Sequence, residues 1–396
     1  MIRARRLAGL ALVLALVVCA DRGVRSAADG RPVVIVLSWD GTRHDYPERA
    51  ETVALARMQR EGARAERLVP VFPSSTFPNH TSLATGTYPD RHGIIDNRFT
   101  DRQGRTFNYS NDASWIEAEP LWAAAERQGV RAAVYFWVGS ETDWRGRGAT
   151  YRMKPFDAKV GEAAKVDQIL AWLDLPPGER PGLILSWWHG CDGVGHEQGP
   201  DSPEIPAQLR AQDAQLARLL EGIDARRAWD RATLIVTSDH GMAAARDALD
   251  PGPILAQHAI EARIGYAGGE AQVYLADAGQ RDAALAALRA VPGLRAYTAE
   301  SLPASYRSVF PGRSGDLTLV ADPPRVLARA FTDGGGHGYD PELPEMGAIF
   351  FALGRGVPAA ARLGVVRAID VAPTAAALLG IDPPAQSEGK PLFSPD

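Results

Sequence analysis

The 396-residue chain is 45% hydrophobic and 23% charged, which excludes a disordered polymer and leaves enough apolar residues for a large core. A net charge of -5 and a pI near 6.0 exclude a global basic field for nucleic acid. A polyanionic small substrate would then need local positive charge, most simply from metal ions. The two cysteines, Cys19 and Cys191, rule out a disulfide framework.

Arg3, Arg5 and Arg6 precede the apolar run Leu7 to Val18, which is too short for a comfortable membrane span and reads as a secretory signal. Small residues between Ala20 and Ala28 put cleavage in that interval. Residues 1–28 are therefore expected to be a signal peptide and 29–396 an exported, periplasmic or secreted domain. Cys19 offers a lipoprotein as the alternative, although Val18 before it is bulkier than such sites usually take. Loss of Cys19 would leave Cys191 without an internal partner, the style of a bacterial exported protein.

Past that segment, Val33–Leu37 is a short continuous apolar run of the kind expected in a strand buried on both faces. Similar runs recur at Ala132–Trp137, Gly182–Trp187, Thr233–Val236 and Ala348–Leu353. Helical patterns lie between them at Val53–Glu61, Pro120–Gln128, Ala163–Leu173, Pro206–Ile223 and Val371–Leu379. The alternation predicts an α/β fold with a mostly parallel central sheet and helices on both faces. Ala244–Thr332 is less regular, with short strands at Gln272–Leu275 and Leu317–Ala321, and is expected to be an accessory α+β subdomain or insertion.

Polar residues follow the apolar runs. Open α/β sheets bind ligands beyond the carboxyl ends of their strands. Asp40 follows the first run, Asp192 and His196 the third, Asp239 and His240 the fourth, and His337 lies in the late loop GGGHGYD. Carboxylates and imidazoles converging on one sheet edge are zinc-type ligands, and Asp-x-x-x-His spacing brings both side chains to one side of a turn. Adjacent Asp239 and His240 suit a loop that serves two neighbouring ions, or one ion from two directions. His44, His80, His92, His189 and His258 lack a comparable setting; His80 and His92 would steady the active loops through hydrogen bonds.

In PSSTFPNH, Pro73 to His80, prolines stiffen the chain around Thr76. A helix is expected to begin near Phe77 to Asn79 and run through Thr85, with Pro78 in the first turn, where a missing N–H costs nothing. Its dipole would favour negative charge at Thr76.

The ordered motifs DG, PSxTFPNH, GxxPxxHGIxDN, DxxGH, SDHGM and GxHGY, with AIDVAPTAAALLGI near the end, cover nearly the whole mature chain. Together they resemble the nucleotide pyrophosphatase/phosphodiesterase branch of the alkaline phosphatase superfamily. The resemblance implies two Zn2+ ions. Asp40, Thr76, Asp239 and His240 match the ligands of one, and Asp192, His196 and His337 those of the other. It further implies Thr76 as nucleophile through a covalent phosphothreonine, and Asn97 as donor to a nonbridging phosphoryl oxygen. A backbone N–H near Thr76 would assist Asn97.

The chain departs from the pattern at Gly190-Cys191, where Glu-Pro is common, and at Val138, where proline is common. It also departs at Trp187, where the family often has a pocket tyrosine. Phe77 and Trp187 are expected to bind substrate in an aromatic slot, with Trp188 a possible third member. No basic residue lies between Pro73 and Asp90, which favours a phosphodiester or pyrophosphate substrate over a dianionic monoester. Arg91, Arg98, Arg152 and Lys154 remain candidates to fold inward. The alternatives are a phosphomonoesterase or phosphonate hydrolase on the same metals, or a noncatalytic metal-binding relative. A sulfatase is disfavoured because Thr76-Phe77-Pro78-Asn79 lacks the arginine of that motif.

Overall fold

A computed structural model describes residues 30–393. The proposed signal peptide and Cys19 lie outside the described residues. The central sheet has eight strands: β1 (Val33–Trp39), β2 (Ala63–Val69), β3 (Ala132–Tyr135), β4 (Tyr151–Met153), β5 (Leu183–Trp188), β6 (Ala232–Thr237), β7 (Phe350–Gly354) and β8 (Ala361–Arg367). Their order is β8-β2-β7-β6-β1-β5-β3-β4. Only β7 runs antiparallel to its neighbours. The mostly parallel α/β architecture expected from the alternating pattern is the one observed.

Strand β1 is buried along its whole length, and its side chains divide between two cores, as strand periodicity requires. Val34 and Val36 pack with Leu83, Trp122 and Val371 from the helices Thr76–Thr85, Leu121–Arg127 and Val371–Leu379. Val33, Ile35 and Leu37 pack with Met58, Ile169 and Leu216 from Val53–Glu61, Glu162–Leu173 and Glu204–Ala225. Each such fully buried aliphatic side chain contributes about 1.5–3 kcal/mol. The helix Val53–Glu61 has no side-chain cap from Thr52. Instead, buried Asp213 accepts the Ala54 and Leu55 N–H groups at 2.9 Å each, which satisfies its first turn from a neighbouring helix.

The irregular stretch contains a second, antiparallel sheet in the order Ala262–Ala267, Glu270–Leu275, Leu317–Ala321, Leu294–Tyr297. With the helices Pro251–Gln257 and Arg281–Arg289 it encloses a separate core around Val273, Leu288 and Leu319. The two-residue turn Gly268-Gly269 of its first hairpin meets the late glycine loop, where Gly269 N–H donates to His337 O at 2.8 Å.

Candidate active site

Register decides where the polar residues meet. Ser38 of β1 pairs with Trp187 of β5 and with Thr237 of β6, so all three strands end level. Asp40, the Trp188–Asp192 turn and Asp239–His240 therefore emerge at one edge. The turns touch closely: Cys191 and Asp192 N–H groups donate to Asp40 O at 2.9 and 3.1 Å. A Cβ on Gly190 (φ +57°) would lie 2.0 Å from that same oxygen, so only glycine allows the approach. Asp192 opens the short helix Asp192–Gln198, and His196 follows one turn later on the same side. The strand Gly334–Gly336 carries the last histidine in. A Cβ on Gly334 or Gly335 would strike the carbonyls of His196 and Gly195 at 2.0 and 2.4 Å, which accounts for the glycines at these two positions.

Thr76 is the first residue of the helix Thr76–Thr85. Buried Asn79 holds the preceding loop. Its Oδ1 accepts Val71 N–H at 2.6 Å, while its Nδ2 lies 3.0 Å from Pro73 O and 2.9 Å from Ser75 O. His80 Nδ1 sits 2.9 Å from Thr76 O. Thr76 Oγ1 lies 3.3 Å from His240 Nε2.

One ligand atom from each of Asp40, Asp239 and His240 lies within 4.8 Å of the other two, and the same holds for Asp192, His240 and His337. His240 thus stands between the two groups. His196 sits at the exposed rim, with Nε2 3.4 Å from Asp192 Oδ1. The three imidazoles share a polarity. Nδ1 of His240 faces Gly241 O at 2.8 Å, that of His196 faces Gly335 O at 2.9 Å, and that of His337 faces Ser74 O at 3.1 Å. A carbonyl only accepts, so each Nδ1 carries the proton and each Nε2 keeps its lone pair for the recess.

The carboxylates fit a cation as well. Asp40 Oδ1, Asp192 Oδ1 and Asp239 Oδ2 are buried and have no hydrogen-bond partner. A buried, unpartnered carboxylate oxygen is costly unless a positive charge meets it. Burial, and then the neighbouring Asp239 and Asp192 charges, push the Asp40 carboxyl well above its usual range. Burial would also raise Asp192, but the neighbouring imidazoles, His196 first and then His337 and His240, hold it down to about 2. Asp239 is likewise held low against burial by His240 and His80. Burial, together with His240 and His196, drives His337 well below the ordinary imidazole value. Three acids and three imidazoles in one recess cannot all adopt their preferred charge alone. Divalent cations would reconcile them.

The profile of the family described as Type I phosphodiesterase / nucleotide pyrophosphatase matches residues 34–340. The chain belongs to this family. A venom phosphodiesterase of Crotalus durissus collilineatus is 31% identical over 360 residues, which cover 85% of this chain and 43% of the venom protein. The bis(5'-adenosyl)-triphosphatase of Xenopus laevis is 28% identical over 94% of this chain and 82% of its own. Murine ectonucleotide pyrophosphatase/phosphodiesterase 5, solved as an inactive threonine-to-alanine form in complex with AMP, superposes with a TM-score of 0.82. That match has 26% identity and covers 89% of this chain and 95% of the murine one. The chain spans under half the length of the first curated relatives it matches, 45% and 43% for the fission-yeast and Crotalus proteins.

Within this phosphodiesterase-family fold, Asn97 stands beside the recess, and its Oδ1 accepts the Phe77 N–H at 2.7 Å. That bond fixes the amide so that Nδ2 is its donor end, on the side of Tyr109. It also commits the Phe77 N–H, next in the chain after Thr76, to Asn97. A cavity of about 310 Å³ opens next to Asn97, His196 and His337, and is also lined by Arg98, Tyr109, Tyr266, Leu327 and Phe331. Phe77 and Trp187, expected in an aromatic slot, are not among its lining residues. Phe77 is buried and packs edge-on against Phe107 and Tyr109. The Trp187 indole N–H donates to Asp40 Oδ2 at 2.8 Å. Trp188 is core, stacked on Trp39. Of the four basic candidates, Arg98 lines the cavity, lying over the Tyr109 ring, while Arg152 pairs with Asp143 and Lys154 reaches Glu141 O. Arg91 is exposed. Tyr109, Tyr266 and Phe331 lie in segments without a clear apolar pattern; Tyr266 reaches the cavity from the second sheet and Phe331 from the segment before the glycine loop.

Proposed function

We propose that this chain is a metal-dependent hydrolase of phosphodiester or pyrophosphate bonds in nucleotide-like substrates, working through a covalent phosphothreonine at Thr76. The observation that carries the reading is the position of Thr76 Oγ1. It lies at a helix N-terminus, 3.3 Å from His240 Nε2, in the recess that holds three unpartnered carboxylate oxygens. Asp40, Thr76, Asp239 and His240 would hold one Zn2+, and Asp192, His196 and His337 a second. Bound there, the two ions supply Lewis acidity, compensating charge on the nucleophile, the phosphoryl group and the leaving oxygen.

The chain's own groups then have distinct tasks. Thr76 Oγ1 attacks phosphorus in line, losing its proton as the Oγ1–P bond forms and the bond to the leaving oxygen breaks. Asn97 Nδ2 donates to a nonbridging oxygen, and the dipole of the helix Thr76–Thr85 favours the charge that develops at its first residue. Water cleaves the Thr76 ester in the second half-reaction, releasing the monoester and restoring the hydroxyl. The inactive murine relative that carries alanine for a threonine and binds AMP supports both the nucleophile type and a nucleotide product.

No helix among the described residues is long and apolar enough to cross a membrane. Export to the periplasm or outside the cell is part of the proposal and rests on the N-terminal sequence. The test of function compares thymidine monophosphate p-nitrophenyl ester, bis-p-nitrophenyl phosphate and p-nitrophenyl phosphate after EDTA treatment, with and without zinc add-back. Zinc-restored turnover with preference for the diesters is expected. A strong preference for the monoester would sink the diesterase assignment.

A further inference from the structure

Trp187 sits where a substrate-facing aromatic was expected, yet its polar edge is committed to the protein. The indole N–H donates to Asp40 Oδ2 at 2.8 Å, which leaves Asp40 Oδ1 buried, unpartnered and facing Asp239 and His240. One face of the same indole carries a cation: Lys165 Nζ lies 4.7 Å from the ring centroid. Lys165 is fully buried, and its ammonium has no hydrogen-bond partner. Its one counter-charge, Glu162 Oε1, stands 3.6 Å away and is itself engaged by His189, through the backbone N–H at 3.0 Å and Nδ1 at 2.7 Å. Phe156 packs edge-on against Trp187 at 5.3 Å and His189 lies tilted at 4.8 Å, so the ring is boxed in.

An ammonium buried without hydrogen bonds is a costly feature to retain for packing alone, since methionine fills similar volume with no charge to desolvate. Burial draws the Lys165 ammonium down to about 8 against the pull of Glu162, which still leaves it mostly charged at neutral pH. A cation over an indole face draws the ring's electron density toward itself, so the N–H at the ring edge becomes a stronger donor.

We infer that Trp187 and Lys165 form a positioning pair. The indole N–H occupies Asp40 Oδ2 so that Oδ1 alone is presented to a divalent cation, and Lys165 strengthens that donor through the ring. The inference rests on the reading of Asp40 as a metal ligand, and it assigns Trp187 to ligand orientation in place of substrate stacking. Groups that orient a metal's ligands typically change metal affinity by about 10–100-fold when removed.

The test measures zinc dissociation constants for the purified chain by competition with a fluorescent chelator, in wild type, Trp187→Phe, Lys165→Met and the double variant. The melting temperature of each metal-free form reports folding. Trp187→Phe should weaken one zinc-binding step by about 10–100-fold, and Lys165→Met should weaken the same step by a smaller factor. In the Trp187→Phe background, Lys165→Met should add nothing, because its effect passes through the lost N–H. Wild-type affinity in Trp187→Phe, or effects that sum in the double variant, would overturn the inference. If Trp187→Phe does not fold, Lys165→Arg decides. It keeps the cation and should hold wild-type affinity where Lys165→Met loses it, and equal affinities would contradict the pair. A wild-type chain that binds no zinc would instead refute the metal reading beneath it.

Discussion

The Phe77 N–H and the Asn97 side-chain oxygen are joined by a 2.7 Å hydrogen bond, which ties the first turn of the helix Thr76–Thr85 to Asn97. A planar amide with its oxygen fixed presents its NH2 in one direction. Asn97→Ala should therefore lower kcat on the thymidine monophosphate ester by about 10²–10³-fold, with a much smaller change in KM. Asn97→Asp should fall at least as far, because a carboxylate would repel the phosphoryl oxygens. Steady-state kinetics on the two variants decide this, and a change confined to KM would assign Asn97 to ground-state binding.

Replacing Thr76 by alanine should cut turnover by at least about a thousandfold while the melting temperature stays within a few degrees. The side chain is small, lies at a helix start, and its hydroxyl faces His240.

Chelation should abolish activity and lower the melting temperature. With metal bound at a thousandfold excess over its dissociation constant, the folded state gains about 4 kcal/mol that the unfolded chain does not. Thermal melts with EDTA and then with zinc should differ by several degrees. Asp239→Asn, which removes one of the unpartnered carboxylate charges, should narrow that gap.

Gly190 and Gly193 lie three residues apart and should respond oppositely to alanine. Gly190 has φ +57° and no room beside Asp40 O, so Gly190→Ala should cost more than about 1 kcal/mol and weaken zinc binding by shifting Asp40. Gly193, in the short helix with open space around it, should accept alanine with no loss and a gain of up to about 1 kcal/mol. Denaturant melts and zinc titrations on the two variants test the contrast.

Acid sensitivity should trace to His92. This imidazole is buried, takes the Ile94 N–H on Nδ1 and faces Ser82 Oγ with Nε2 at 2.9 Å. Burial first, and the Arg313 charge second, lower it to about 3. The unfolded chain binds this proton near pH 6.5 and the folded chain only near 3. Stability from this group is thus complete above about 6.5 and falls by about 1.4 kcal/mol per pH unit down to about 3. His92→Gln should flatten the dependence of unfolding free energy on pH in that window.

The sequence disclosed most strongly what was buried on both faces. The helices Val53–Glu61 and Val371–Leu379 have the bounds their patterns predicted, and the five apolar runs all fall on central strands. The strand Ala63–Val69 and its outer neighbour Ala361–Arg367, which forms one edge of the sheet, escaped notice because one face of each is largely open, so charged residues interrupt any apolar run. At the site, the convergence of Asp40, Asp192, Asp239 and His240 followed from strand ends, and His337 from its setting in the late glycine loop. Two features did not. The Trp187 bond to Asp40 Oδ2 depends on the Ser38–Trp187 register, and the cavity walls at Tyr266 and Phe331 depend on how the second sheet meets the glycine loop. Contacts of that kind are set by tertiary placement, and local patterns carry no trace of them.

The central claim is that Thr76 becomes covalently attached to phosphorus during turnover. Acid quenching of the zinc-loaded chain during hydrolysis of thymidine monophosphate p-nitrophenyl ester, followed by peptide mass mapping, tests it most directly. The account predicts a thymidine monophosphoryl adduct on Thr76 that appears in the pre-steady state and is absent from Thr76→Ala. Full turnover with no adduct at Thr76, or with an adduct on a different residue, would contradict it.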